Sequence, residues 1–314
     1  NTALGALALI ANTTGHSNTA VGKIALDSNT TGFQNTAVGM NALQANTTGL
    51  RNTALGQDSL YSNTTASDNT AIGKNSLETN TTGASNVAVG KSACGATTTG
   101  GANAALGFQA LAANTTGSSN TAGGYNAMDA HTTGSNNAAW GNHALGASTT
   151  GGNNTGIGSA AGGTLTTGSN NTLIGHQAGT TSSPANIVTA DNRIVLGNNS
   201  VTNAYIKVDW TVTSDARDKM NFASVPHGLS FVNDLQPFKF DFKKSRDDAT
   251  PHGTTKYGFK AQDILALEGD NPIIVDNEDE DKLGITNSNL IPVLVKAIQE
   301  LSTKNDALVA RITA

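Results

Sequence analysis

Charge and aromatic rings are scarce along these 314 residues: 13% are charged and 4% aromatic. So little bulk excludes one large conventional core, although the length would allow two domains. The charges are also unevenly spread. Residues 1–179 hold four Lys/Arg and five Asp/Glu, leaving fourteen and eighteen to residues 180–314. Neither part is basic, which argues against nucleic acid or an anionic membrane as the main partner. The single cysteine, Cys94, excludes an intrachain disulfide framework and offers no metal cluster. No apolar run approaches the length of a membrane span, and no signal peptide is expected at Asn1. No metal and no cofactor is expected.

Glycine is abundant, with 35 residues, and it is placed with regularity. Residues 1–170 are ten units of seventeen residues without insertion, and an eleventh begins at Asn171. Asparagine opens every unit, glycine holds the fifth place from Gly5 to Gly175, and a Thr-Thr pair fills places thirteen and fourteen of the ten complete units. Asn1 is already in phase, so the chain is expected to be part of a longer protein. A fixed short period of this kind marks a solenoid, in which each unit buries its face against its neighbours.

Seventeen residues with two corners and small side chains are too few for a helix pair, so each unit is expected to be one coil of a β-roll. Strands stacked at about 4.8 Å would make a rod of roughly 50 Å over eleven coils. Place four is usually Leu, Val or Ile, and places eight and nine are often Ala-Leu. Leu4, Val21, Val38, Leu55 and Ile72 are therefore expected to stack as one interior column. Trp140, at the same place, is expected to fill a gap in the core. The asparagine column is expected to be an internal ladder of amides that satisfies buried backbone groups, with the Thr-Thr rows as solvated corners. A core this thin would be marginal in one chain, so three chains are expected to pool their apolar faces. The repeat is similar in outline to the β-roll heads of trimeric autotransporter adhesins.

After Gly179 the period fails, and Ser182-Ser183-Pro184 is expected to end the roll. Strand-like runs follow at Ile194–Leu196, Tyr205–Thr211, Phe238–Phe242 and Ile273–Val275, with a polar loop over Lys243–Gly253. The acidic run Asp276–Asp281 lacks the spacing and glycine of a calcium loop and suits a solvated hairpin tip. His227 and His252 lie near turn residues without catalytic or metal partners. At the end of the chain Ile291, Ile298, Asn305 and Ile312 recur every seven residues, with Leu294, Leu301 and Leu308 offset by three. That is a coiled-coil seam over about 287–314, with one polar residue at an a position. Isoleucine at a with leucine at d is commoner in dimers, so the seam alone does not select three strands.

Ser214 and Lys219 stand five residues apart between these unlike halves. A desolvated lysine loses its proton more readily and can then take one from a hydroxyl. Such a pair occurs by chance in almost any chain, so spacing alone says little.

The context says more. Ser214-Asp215-Ala216-Arg217-Asp218-Lys219 follows Asn192–Gly197 and Ala204–Trp210, and precedes Tyr257-Gly258-Phe259-Lys260-Ala261-Gln262-Asp263 and the tail Leu290–Leu301. Together these resemble the self-cleaving intramolecular chaperone domain at the C-terminus of phage tail fibres and tailspikes, endosialidase tailspikes included. The resemblance spans Ile194 to Ala314. It implies a catalytic dyad of Ser214 and Lys219, with the cut between Thr213 and Ser214.

The reading is a mainly β chain in three parts. A trimeric β-roll shaft (1–179) leads through a stranded junction (180–213) to a small α+β chaperone and auto-processing domain (214–314) that ends in the coiled-coil helix. The expected activity is a single-turnover Ser-Lys self-cleavage with no metabolic role. The shaft would be structural or would bind a host-surface glycan or protein receptor, on a virion assembled in the host cytoplasm. The rival is a bacterial cell-surface adhesin, or an ice- or glycan-binding rod, with a non-cleaving trimer anchor. A glycan hydrolase has little support, because no acidic pair repeats along one face.

Overall fold

The computed structural model describes residues 1–207, 211–243 and 246–313. Its contacts divide the chain into two compact units, Asn1–Ser200 and Val201–Ala314.

In the first unit each seventeen-residue repeat makes one coil with a single three-residue strand at places two to four. Strands β1 (Thr2–Leu4), β2 (Thr19–Val21) and so on to β11 (Thr172–Ile174) pair in parallel and in chain order. The register is one repeat, so Thr2 faces Thr19, Ala3 faces Ala20 and Leu4 faces Val21. The fold is thus the expected β-solenoid. It does not stop where the period fails. A twelfth strand, β12 (Ile194–Leu196), pairs with β11, Thr172 facing Ile194, after a coil lengthened from seventeen residues to twenty-two.

The interior is not the one the sequence suggests. Successive side chains of a strand point to opposite faces. Alanine at place three points in: Ala20, Ala37, Ala54 and Ala71 are fully buried. Place four must then point out. Leu4, Val21, Val38, Leu55 and Ile72 do stack in register, but as an outer column, with Leu4 67% and Leu55 45% exposed. Trp140 lies in that outer column too and is 49% exposed.

The core is closed from the other side by Ala and Leu of places eight and nine, such as Ala25-Leu26 and Ala42-Leu43. This side is not a strand. Places seven and nine are in the left-handed region, as at Ile24 (φ 63°) and Leu26 (φ 51°). Such a conformation is unfavourable for a bulky residue. Here it turns each N–H toward a neighbouring coil: Ile24 bonds the Ala6 carbonyl at 2.9 Å and Leu26 that of Ala42 at 3.0 Å. The fifth-place glycines are steric as well as conformational. A Cβ on Gly90 (φ 139°) would run into the carbonyl of Gly107 one coil on.

The asparagines form two buried ladders. At place one, the Asn18 N–H donates to Asn1 Oδ1 and the Asn35 N–H to Asn18 Oδ1, both at 2.9 Å. At place twelve, Asn29 Nδ2 donates to Asn12 Oδ1 at 2.9 Å. Both columns also clamp one carbonyl, since Gly32 O accepts Asn18 Nδ2 at 2.8 Å and Asn29 Nδ2 at 3.0 Å. Each coil is closed in this way by side chains rather than by a second strand. The second ladder breaks where Thr97 and His131 replace asparagine. Among the described residues, the buried Oδ1 atoms of Asn80 and Asn114, one coil before each replacement, have no hydrogen-bond partner. Threonines of the thirteenth place hold the corner, as Thr30 Oγ1 does with the Thr47 carbonyl at 3.1 Å. Cys94 sits in the place-nine core, where burial pushes its thiol up to about 12 and leaves it inert.

The second unit is small. Helix α1 (Leu229–Asp234) is followed by the antiparallel pair β13 (Phe238–Lys243) and β14 (Pro251–Gly258), then α2 (Ala261–Glu268). A hairpin of β15 (Val275–Asp276) and β16 (Gly284–Ile285) precedes the long α3 (Asn287–Thr313). Its core gathers Phe231, Leu235, Ile264, Ile274, Val275, Leu290 and Val293. The acidic run is the tip of the β15–β16 hairpin, as expected. Only Val275 of the run Ile273–Val275 enters a strand. Instead the Glu268 carboxylate collects the backbone N–H groups of Ile273, Ile274 and Val275 at 2.8–3.0 Å. His227 stacks on Phe231 with ring centres 4.3 Å apart, and His252 lies within β14. Tyr205, Ile206 and Lys207 are not in a strand. The rest of that expected strand includes residues 208–210, and the expected loop includes 244 and 245; these five lie outside the described residues, as does Ala314.

Candidate active site

The short sequence Ser214–Lys219 folds on itself. Asp215 precedes a single 3-10 turn, Ala216–Asp218, and its Oδ1 accepts the Arg217 backbone N–H at 2.9 Å. Aspartate favours this position because its short carboxylate reaches the amide two residues on. The Arg217 guanidinium then folds back on the same carboxylate, Nε to Oδ1 at 3.1 Å and Nη2 to Oδ2 at 2.6 Å. This clip holds the Asp215 carboxyl below the usual range, chiefly through the guanidinium and then through the backbone N–H. The turn closes with the Lys219 N–H on the Ala216 carbonyl at 3.2 Å.

The clip brings the two ends of the motif together. Lys219 Nζ donates to Ser214 Oγ at 2.6 Å, within reach for proton transfer. Both residues are exposed, as is Thr213. They lie apart from the cleft of about 890 Å³ lined by Phe240, Phe242, Tyr257, Lys260 and Lys282.

Two features escaped the sequence reading. Asp215 and Arg217 position the pair, and the Asp-x-Arg spacing across a turn is the signal that could have shown it. The backbone amides beside the pair are engaged: that of Arg217 by Asp215 Oδ1 and that of Asp218 by the Asp215 carbonyl at 3.1 Å.

The seam of α3 is separate from this turn in sequence. Ile291, Leu294, Ile298, Leu301, Asn305, Leu308 and Ile312 are all exposed, Ile298 to 66% and Leu301 to 54%. Leu290, Val293 and Ala297 are buried on an adjoining side of the helix, with Leu290 and Val293 packed into the unit's own core. One face of α3 thus serves the fold, and the other is an apolar row facing solvent.

Among the described residues no group of His, Cys, Asp and Glu could hold a metal ion, and no helix is long and apolar enough to cross a membrane. No curated protein and no solved structure matches the chain. Residues 214–270 match the family model described as the chaperone of endosialidase, and the match begins at Ser214 itself. A twelve-stranded parallel β-solenoid thus precedes a segment that matches the chaperone-of-endosialidase model, in keeping with a tail fibre that carries a C-terminal chaperone domain.

Proposed function

We propose that the chain is part of a phage tail fibre or tailspike whose C-terminal segment assembles three chains and then releases itself by cutting before Ser214. The 2.6 Å contact between Lys219 Nζ and Ser214 Oγ, at the first residue of the family match, carries this reading. The exposed seam of α3 supports the assembly step.

The chemistry is an acyl transfer. Neutral Lys219 takes the proton of Ser214 Oγ, and the oxygen attacks the Thr213 carbonyl carbon. The new O–C bond forms as the C–N bond breaks, and the proton passes to the leaving amine of Ser214. An ester between Thr213 and Ser214 Oγ results, and water hydrolyses it to a Thr213 carboxylate and a free Ser214 hydroxyl. In the contact described above the lysine is the donor; as a base it must accept. Shelter from water favours the neutral amine. A single chain leaves both residues exposed, so neighbouring chains would provide that shelter, and cutting would wait for assembly.

This order has a physical use. Near-identical coils slip easily against one another, so a clamp at one end sets three chains in phase. Its removal makes unfolding difficult to reverse. The shaft would then be structural or would meet a host-surface glycan or protein receptor on the virion. Denaturing mass spectrometry of the expressed chain tests the proposal: fragments 1–213 and 214–314 are expected, and Ser214→Ala should leave the chain whole. A cut at the same bond in Ser214→Ala would assign it to an outside protease.

A further inference from the structure

The outward face of the solenoid strands has no role in the single chain. Places two and four carry no charged residue in any of the twelve strands. Place four is Leu, Val or Ile in ten of them, and most of these side chains are half-buried or exposed. The stripe is about 55 Å long and roughly 10 Å wide, of the order of 500 Å², which is at the upper end for the surface of a monomer. A partner covering it along its length must present apolar groups at the same coil-by-coil interval. A second copy of this chain does so by construction.

One place breaks the uniformity. In β8 (Thr121–Gly123) place four is Gly123, and in β9 (Ala138–Trp140) it is Trp140, its register partner. The indole lies back over the glycine, which is buried, and a Cβ at residue 123 would fall into the ring. Elsewhere a slide by one coil exchanges one branched aliphatic residue for another. Here it would set an indole against a level with no glycine beneath it.

We infer that the outward strand face is the surface on which copies of this chain meet, and that Trp140 seated over Gly123 is the key that fixes their axial register. The inference rests on the trimer reading above, and its test separates the two. In the full chain, Ile72→Cys, on the stripe, should give disulfide-linked pairs under mild oxidation. Thr48→Cys, on an exposed corner, should not. Cys94, buried in the core, stays out of the reaction. Chains carrying Ile72→Cys and Leu106→Cys, two coils apart, should on co-expression link only at like positions, as read by peptide mapping. In the double variant Gly123→Leu/Trp140→Leu, mixed 72–106 links should rise at least tenfold.

A monomer in sedimentation overturns the trimer reading itself. A trimer in which Thr48→Cys links and Ile72→Cys does not keeps that reading and overturns the assigned face. Like-position links alone in the double variant overturn the register key.

Discussion

The carboxylate of Glu300 accepts the backbone N–H of Leu229 at 2.9 Å, joining α3 to the first turn of α1 across 71 positions of sequence. No capping side chain of α1 itself does this, because its N-cap is Gly228. Glu300→Ala should speed hydrogen exchange at Leu229 and destabilise the second unit by about 1 kcal/mol, the usual worth of a cap.

The seam should decide assembly and little else. Ile298 and Leu301 are exposed in the single chain, so Ile298→Asp with Leu301→Asp should leave the fold of that chain in place. Unassembled chains in analytical ultracentrifugation are the expected result. An intact trimer would show that the seam is not the clamp.

Asp215 should matter for rate without touching the scissile bond. Asp215→Ala removes the clip that bends Lys219 toward Ser214, and misplacing a catalytic group by about 1 Å can cost up to 100-fold. A cut slowed at least tenfold is expected, at the same bond. The carboxyl is held below its ordinary value, so the clip is complete above about pH 4 and is lost as pH falls through the lowered value. The variant lacks it at every pH, so the two rates should converge only in strong acid.

Thr97 interrupts the place-twelve ladder and leaves Asn80 Oδ1 without a donor. Thr97→Asn restores the side chain that the column carries from Asn12 to Asn80 and again at Asn114. It should raise the stability of the solenoid by about 1 kcal/mol in urea unfolding, the typical worth of one hydrogen bond.

His131 is the titrating member of the same column. Its Nε2–H donates to the Gly134 carbonyl at 2.9 Å, and burial pushes the ring below its ordinary value. Its side-chain neighbours Asn137 and Ser148 are neutral. With the folded value depressed, the unfolded chain takes up the proton first. Stability is therefore full above about pH 6.5 and falls as the pH drops below it. His131→Asn should remove this slope and also supply the donor that Asn114 Oδ1 lacks, so that thermal unfolding shifts upward at pH 8 and further upward at pH 5.

The sequence by itself determined the coil. A fixed seventeen-residue phase, asparagine at place one and glycine at place five leave few other folds, and the Ser-Asp-x-Arg-x-Lys motif singled out Ser214 and Lys219, whose side chains meet at 2.6 Å. It could not say which way a three-residue strand faces, since Ala at place three and Val at place four are both apolar and only their packing separates them. Alanine went inside because Leu26 and its equivalents approach from the opposite wall and leave room for nothing larger. The strand at Ile194–Leu196 was legible, but the broken period after Gly179 hid its place as the twelfth of the solenoid, which depends on backbone pairing and on the Asn171 amide rather than on spacing. The heptads of α3 marked one apolar seam without saying whether it meets the core or solvent. Only the packing of Leu290 and Val293 into the core shows that the row from Ile291 to Ile312 is left facing solvent. Local chemistry is written in neighbouring residues, whereas the choice between two apolar faces is made by whatever packs against them.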